Sequence, residues 1–119
     1  MAVTVTPAET LRHLAERRRQ AHQRSTERAQ RLRDGLADAA ALLRTRYGAT
    51  RVVLFGSLAT GSHGETSDVD LAVEGLPSDQ YFLALADLMA LFVAPVDLVR
   101  LEEAPQSLLD RIAAEGEPL

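Results

Sequence analysis

Between Thr6 and Gly48 no strong stop signal interrupts a helix, and that single run dictates how a chain of 119 residues can be built. Its start is written in Thr6-Pro7-Ala8-Glu9: Thr6 can cap, proline is pre-set for the first helical position, and Glu9 completes a capping box. A straight helix from Pro7 to Tyr47 would be roughly 60 Å long, against a radius of gyration of about 14 Å for a compact chain of this size. The helix must therefore protrude or break, and Gly35 is the expected kink. Leu32, Leu36, Ala39, Ala40 and Leu43 recur at spacings of three and four, which predicts a core-facing stripe on the last turns. Leu11 and Leu14 form a small second patch. From Glu16 to Arg31 there is no large apolar residue, so this stretch is expected to be a solvated bridge or a surface for a partner.

Charge follows the same division. All thirteen basic residues are arginine, and ten of them lie between Arg12 and Arg46. Residues 1–47 carry a net +5 and residues 48–119 a net −9, which together make the overall −4. A basic head on an acidic body suggests an electrostatic partner for one half. The head has no aromatic residues interleaved with its arginines, so recognition of RNA by stacking has no support and nucleic acid is a disfavoured partner. A solvated helix, an acidic protein face, and a homo- or hetero-oligomer formed through the N-terminal helix stay open.

With 46% hydrophobic and 25% charged residues the chain has ordinary globular composition. It has no cysteine, which excludes disulfide staples, thiolate metal sites and cysteine nucleophiles. Neither a signal segment in MAVTVTP nor an apolar run near eighteen residues is present, so the expectation is a cytoplasmic protein without a membrane span.

After Gly48 the pattern changes to short apolar runs between turn residues. Arg51–Phe55, Val69–Val73 and Val96–Leu101 read as strands. Ser78–Phe92 reads as a helix whose buried face is Phe82, Leu85, Ala86, Met89 and Phe92, and Leu108, Leu109 and Ile112 mark a last helix ending near Gly116. The fold class is α/β: a small mixed sheet packed by helices, with a long N-terminal helix. Residues 1–34 are read as an Arg-rich helical extension and 35–119 as the domain that carries chemistry.

That chemistry is concentrated in Gly56-Ser-Leu-Ala-Thr-Gly-Ser-His-Gly-Glu-Thr-Ser-Asp68-Val-Asp70. Residues i and i+2 of a strand point to one face, so Asp68 and Asp70 present paired carboxylates while Val69 and Leu71 turn to the core. Carboxylates this close repel unless a cation lies between them, and hard oxygen donors of this kind suit Mg²⁺ or Mn²⁺ with phosphates completing the coordination. Gly56 lets the backbone approach a phosphate, and Ser57 can donate to its oxygens. Asp97, inside Pro95-Val-Asp-Leu-Val99, needs a partner too: Arg51, Arg100 or a metal. If its strand neighbours that of Asp70, three carboxylates converge, enough for two ions about 3.5–4 Å apart. His63 reads as an exposed loop residue.

Gly-Ser, ten residues, Asp-x-Asp and a later strand bearing a third aspartate resemble the DNA polymerase β-like nucleotidyltransferase superfamily. With the tail from Val96 to Gly116, residues 36–119 are similar to its minimal nucleotidyltransferase branch, the antitoxins of type VII toxin–antitoxin pairs. The resemblance implies that Asp68 and Asp70 bind both metal ions, that Asp97 binds one and helps deprotonate an acceptor hydroxyl, and that Gly56 and Ser57 hold the β- and γ-phosphates of ATP. The implied reaction transfers AMP to a hydroxyl on a HEPN-domain toxin. Relatives often carry arginines in the loop after Gly-Ser, where this chain has Leu58 and Thr60. Two other readings remain: a non-catalytic protein that blocks its partner by contact, and a nucleic-acid-binding regulator using the arginine helix.

Overall fold

A computed structural model describes residues 6–62 and 68–119. His63 and Gly64 lie outside the described residues. The expected capping box forms: the Thr6 side chain accepts from the Glu9 amide, and Glu9 accepts from the Thr6 amide. From it runs α1, Pro7–Asp34, which ends at Gly35, and α2 continues over Leu36–Tyr47. Both resolutions of the length problem are used. The helix breaks, and the molecule still measures 66 × 28 × 20 Å with a radius of gyration of 19.0 Å. Gly35 sits at the break because the second layer comes very close: a Cβ there would lie 3.0 Å from Cε1 of Phe92 and 3.2 Å from Cδ2 of Leu91.

The remaining elements are β1 (Arg51–Phe55), α3 (Gly56–Thr60), β2 (Val69–Glu74), α4 (Tyr81–Phe92), β3 (Val96–Arg100), α5 (Gln106–Glu115) and β4 (Glu117–Pro118). The sheet order is β3-β2-β1-β4. Strand β1 is antiparallel to β2 and to β4, whereas β2 and β3 are parallel and joined by a crossover through α4. The two-residue β4 has no counterpart in the sequence reading. Its proline donates no backbone hydrogen bond, which an edge position tolerates.

Strand alternation divides the core into two layers. On one face, Val52, Leu54, Val69, Leu71, Val73 and Leu98 pack against Leu36, Ala39 and Leu43 of α2 and against Ala84, Leu88 and Phe92 of α4. On the other, Val53, Phe55 and Ala72 pack against Ile112 of α5. The stripe Leu32, Leu36, Ala39, Ala40, Leu43 is buried as expected. Ala29 is buried too, so the arginine-rich run joins the core earlier than its lack of large apolar residues suggests.

The face assigned to α4 needs correction. Phe82 is 79% exposed, Met89 is 44% exposed and Ala86 is also on the surface, while Ala84, Leu88 and Phe92 are buried. The helix is apolar almost all round, and the sheet selects the second stripe. Among the described residues no helix is long and apolar enough to cross a membrane.

These contacts separate the body from the arm. Leu43→Ala, which empties a fully buried site, should destabilise the chain by about 2–5 kcal/mol in urea unfolding. Removing residues 1–20, whose described members are all exposed, should shift the same transition by no more than about 0.5 kcal/mol. A large loss on truncation would show that the arm supports the fold.

Candidate active site

The parallel register of β2 and β3 places Asp70 directly opposite Asp97. Asp70 alternates with the buried Val69 and Leu71, so it lies on the α5 face together with Ala72. Asp68 precedes β2 by one residue and is exposed, as is Asp97. The three carboxylates interact: burial first, then the charges of Asp97 and Asp68, push the Asp70 carboxyl up from its ordinary 3.8 to about 6. One neighbour acts the other way, the Arg111 guanidinium of α5.

Gly56 closes the site from the β1 side. Its φ of +72° is in the left-handed region, and a Cβ there would fall 2.1 Å from Oδ2 of Asp70. Both facts call for glycine. Ser57 follows, half-buried, in the first turn of α3. The loop itself is braced internally: Thr60 Oγ1 donates to the Gly56 carbonyl at 3.3 Å and lies 2.9 Å from Oγ of Ser62. Leu58 is 2% exposed and packs into the main core, so its side chain is committed to structure. Arg33, at the end of α1, donates to the Leu58 carbonyl at 3.3 Å and pairs with Glu117 at 3.0 Å, which ties the long helix to this turn.

Neither arginine considered for Asp97 is its partner in the structure. Arg100 donates to the Leu76 carbonyl at 2.8 Å and pairs with Glu102 and Glu103. Arg51 stands opposite Glu74, at the far end of the sheet from Asp70. Beside Asp97, Tyr81 donates its hydroxyl to the Leu98 carbonyl at 2.6 Å, and burial with the Asp97 charge holds the phenol above its usual range.

Among the described residues, no three His, Cys, Asp or Glu side chains are gathered tightly enough to hold an ion by themselves. The array is an open edge of hard oxygen donors whose mutual repulsion the Arg111 charge offsets only in part. Asp68, Asp70 and Asp97 therefore fit a divalent cation that takes its other ligands from phosphate oxygens and water, as Mg²⁺ commonly does.

Residues 39–119 match the family described as polymerase beta, nucleotidyltransferase. The chain belongs to that family. A solved structure assigned as a minimal nucleotidyltransferase is 32% identical, superposes with a TM-score of 0.62, and is matched over 74% of this chain and 95% of its own length. A chain of a toxin–antitoxin complex with AMP-PNP is 28% identical at a TM-score of 0.61, over 66% of this chain and 67% of that one. A complex of tri-AMPylated Shewanella oneidensis HEPN toxin with its MNT antitoxin shares the fold at 23% identity and a TM-score of 0.60, over 73% and 70%. Comparison with curated proteins gave no match.

One residue of this nucleotidyltransferase escaped sequence reasoning. Arg111 stands next to Ile112 and three residues after Leu108, both of which face the sheet. Nothing in the sequence tells which sheet face α5 covers, so nothing linked Arg111 to the carboxylates.

The proton affinity of Asp70 has a measurable sign. Its folded value of about 6 exceeds the ordinary 3.8, so without metal the native state loses stability as pH rises from about 4 to about 6, and the loss persists above that window. In EDTA, Asp70→Asn should be more stable than the natural chain at pH 7 by roughly 1–2 kcal/mol after allowance for solvent screening, with the gap closing toward pH 4. Equal urea midpoints at both pH values would contradict the crowding of the three groups.

Proposed function

We propose that this chain is a metal-dependent adenylyltransferase that moves AMP from ATP to a hydroxyl on a HEPN-type toxin, and so acts as the antitoxin of the pair. The observation that carries the reading is the Asp70–Asp97 register, with Asp68 two residues away and Gly56 pressed onto the Asp70 carboxylate. Support for the partner comes from relatives crystallised with toxins, one with AMP-PNP and one with an AMPylated HEPN toxin. In this reading residues 35–119 are the catalytic domain and 1–34 an appended helix.

Asp68 and Asp70 would hold both divalent ions and Asp97 one of them. Bound there, the metal supplies charge neutralisation for the triphosphate and the leaving pyrophosphate. The other roles fall to the chain itself. Gly56 and Ser57 hold the β- and γ-phosphates so that the α-phosphorus faces the acceptor. Asp97 takes the acceptor proton as the hydroxyl oxygen bonds to the α-phosphorus and the bond to pyrophosphate breaks. Strand β3 is an edge strand and Asp97 on it is exposed, so a protein acceptor would approach Asp97 from outside the sheet. Such positioning and charge stabilisation are most of what this transfer requires.

One observation favours neutralisation by contact instead. Phe82, Leu83, Met89 and Val93 leave α4 with an exposed apolar surface, the kind a partner covers. Incubation with α-labelled ATP, Mg²⁺ and a HEPN-type toxin separates the two readings. Label on the toxin should fall at least about 100-fold with Asp68→Asn or Asp97→Asn and disappear in EDTA. Toxin neutralised without label, or by the variants as well as by the natural chain, would sink the catalytic reading and leave contact.

A further inference from the structure

A triphosphate brings roughly four negative charges to an edge that already holds three carboxylates, more than two divalent cations offset. Somewhere a fixed cation is needed. The whole stretch from Gly56 to Val99, which includes the Gly-Ser turn, β2 and most of β3, contains no arginine or lysine. In the body, Arg44 bonds the Leu119 carbonyl and Arg46 pairs with Asp87, both from α2 on the opposite sheet face. Arg51 and Arg100 stand at the far end of the sheet, opposite Glu74 and Val73.

Arg111 is placed differently. Its helix packs against α3 and β1, with Ile112 in contact with the layer formed by Phe55 and Ala72, the same face that carries Asp70. On α5, Leu108 and Ile112 face the sheet and Arg111 lies on their flank. Its side chain is 56% exposed, and among the described residues its ion pair is a long one, Nε to Glu115 at 3.4 Å. The charge is felt at Asp70, where it opposes the two aspartates. A planar guanidinium so placed matches phosphate oxygens in geometry and keeps its charge at any working pH.

We propose that Arg111 is a nucleotide-binding residue, its guanidinium taking β- or γ-phosphate oxygens of the triphosphate from the α5 side while Gly56 and Ser57 hold them from the β1 side. This rests on the active-site reading of the three aspartates. It makes α5 part of the site and gives Glu115 a secondary role, holding Arg111 until nucleotide arrives.

Calorimetric titration of the full chain with ATP and with AMP, in Mg²⁺, tests it. Arg111→Ala should weaken ATP binding roughly tenfold and leave AMP within about twofold, the loss expected when a charged hydrogen-bond donor to the outer phosphates is removed. Arg111→Lys should recover part of the ATP affinity, and Glu115→Gln should keep all of it. Arg111→Ala that binds ATP as the natural chain does would overturn the inference, as would equal losses for ATP and AMP. Asp68→Asn run in parallel separates the two layers of the argument. If it abolishes Mg-ATP binding while Arg111→Ala leaves it intact, Arg111 alone is wrong; a natural chain that binds no Mg-ATP overturns both.

Discussion

The acidic edge exists because apolar packing holds β2 and β3 in one register. Three carboxylates repel, and among the described residues no side-chain hydrogen bond draws Asp70 and Asp97 together. What does so lies on the other face of the sheet, where Val69, Leu71 and Leu98 are buried against α2 and α4. A slip of one residue would turn Leu98 toward α5 and thrust Asp97 into the main core, at the cost of an unpaired buried charge. Hydrophobic burial on one side therefore enforces electrostatic strain on the other, strain that a bound cation would relieve.

The glycine at the end of β1 works in the same direction. With no side chain at residue 56, the backbone closes on Asp70, and partial burial is the largest cause of its raised proton affinity. Desolvation and like charge together prepare a carboxylate that gains more from a divalent ion than a free one would. The net −9 of the acidic body thus has a local meaning at Asp68, Asp70 and Asp97, and Arg111 is the counterweight built beside them.

Much of this could be read in advance because the signals were local. The capping box at Thr6, the kink at Gly35, three strands and the Asp-x-Asp spacing all depend on residues a few positions apart. What could not be read depends on which surfaces meet. Helix α4 offers two stripes of comparable hydrophobicity, and only contact with α2 and the sheet buries Ala84, Leu88 and Phe92 while leaving Phe82 and Met89 outside. Ala29 is too small to announce that it is core. Strand β4 is two residues long and half proline, so no propensity marks it. The link between Arg111 and Asp70 waits on the face that α5 chooses.

Helix α1 also has a mechanical consequence. Its 28 residues make a rigid rod about 42 Å long, anchored at one end where Arg33 grips the Leu58 carbonyl and Glu117. A tilt of roughly 10° about Gly35 would sweep the far tip through about 7 Å while moving the anchored turn by well under an ångström. The rod is thus a lever with its fulcrum beside the Gly-Ser turn: a partner that seized the arginine-rich arm would apply a large torque to a turn that it never touches.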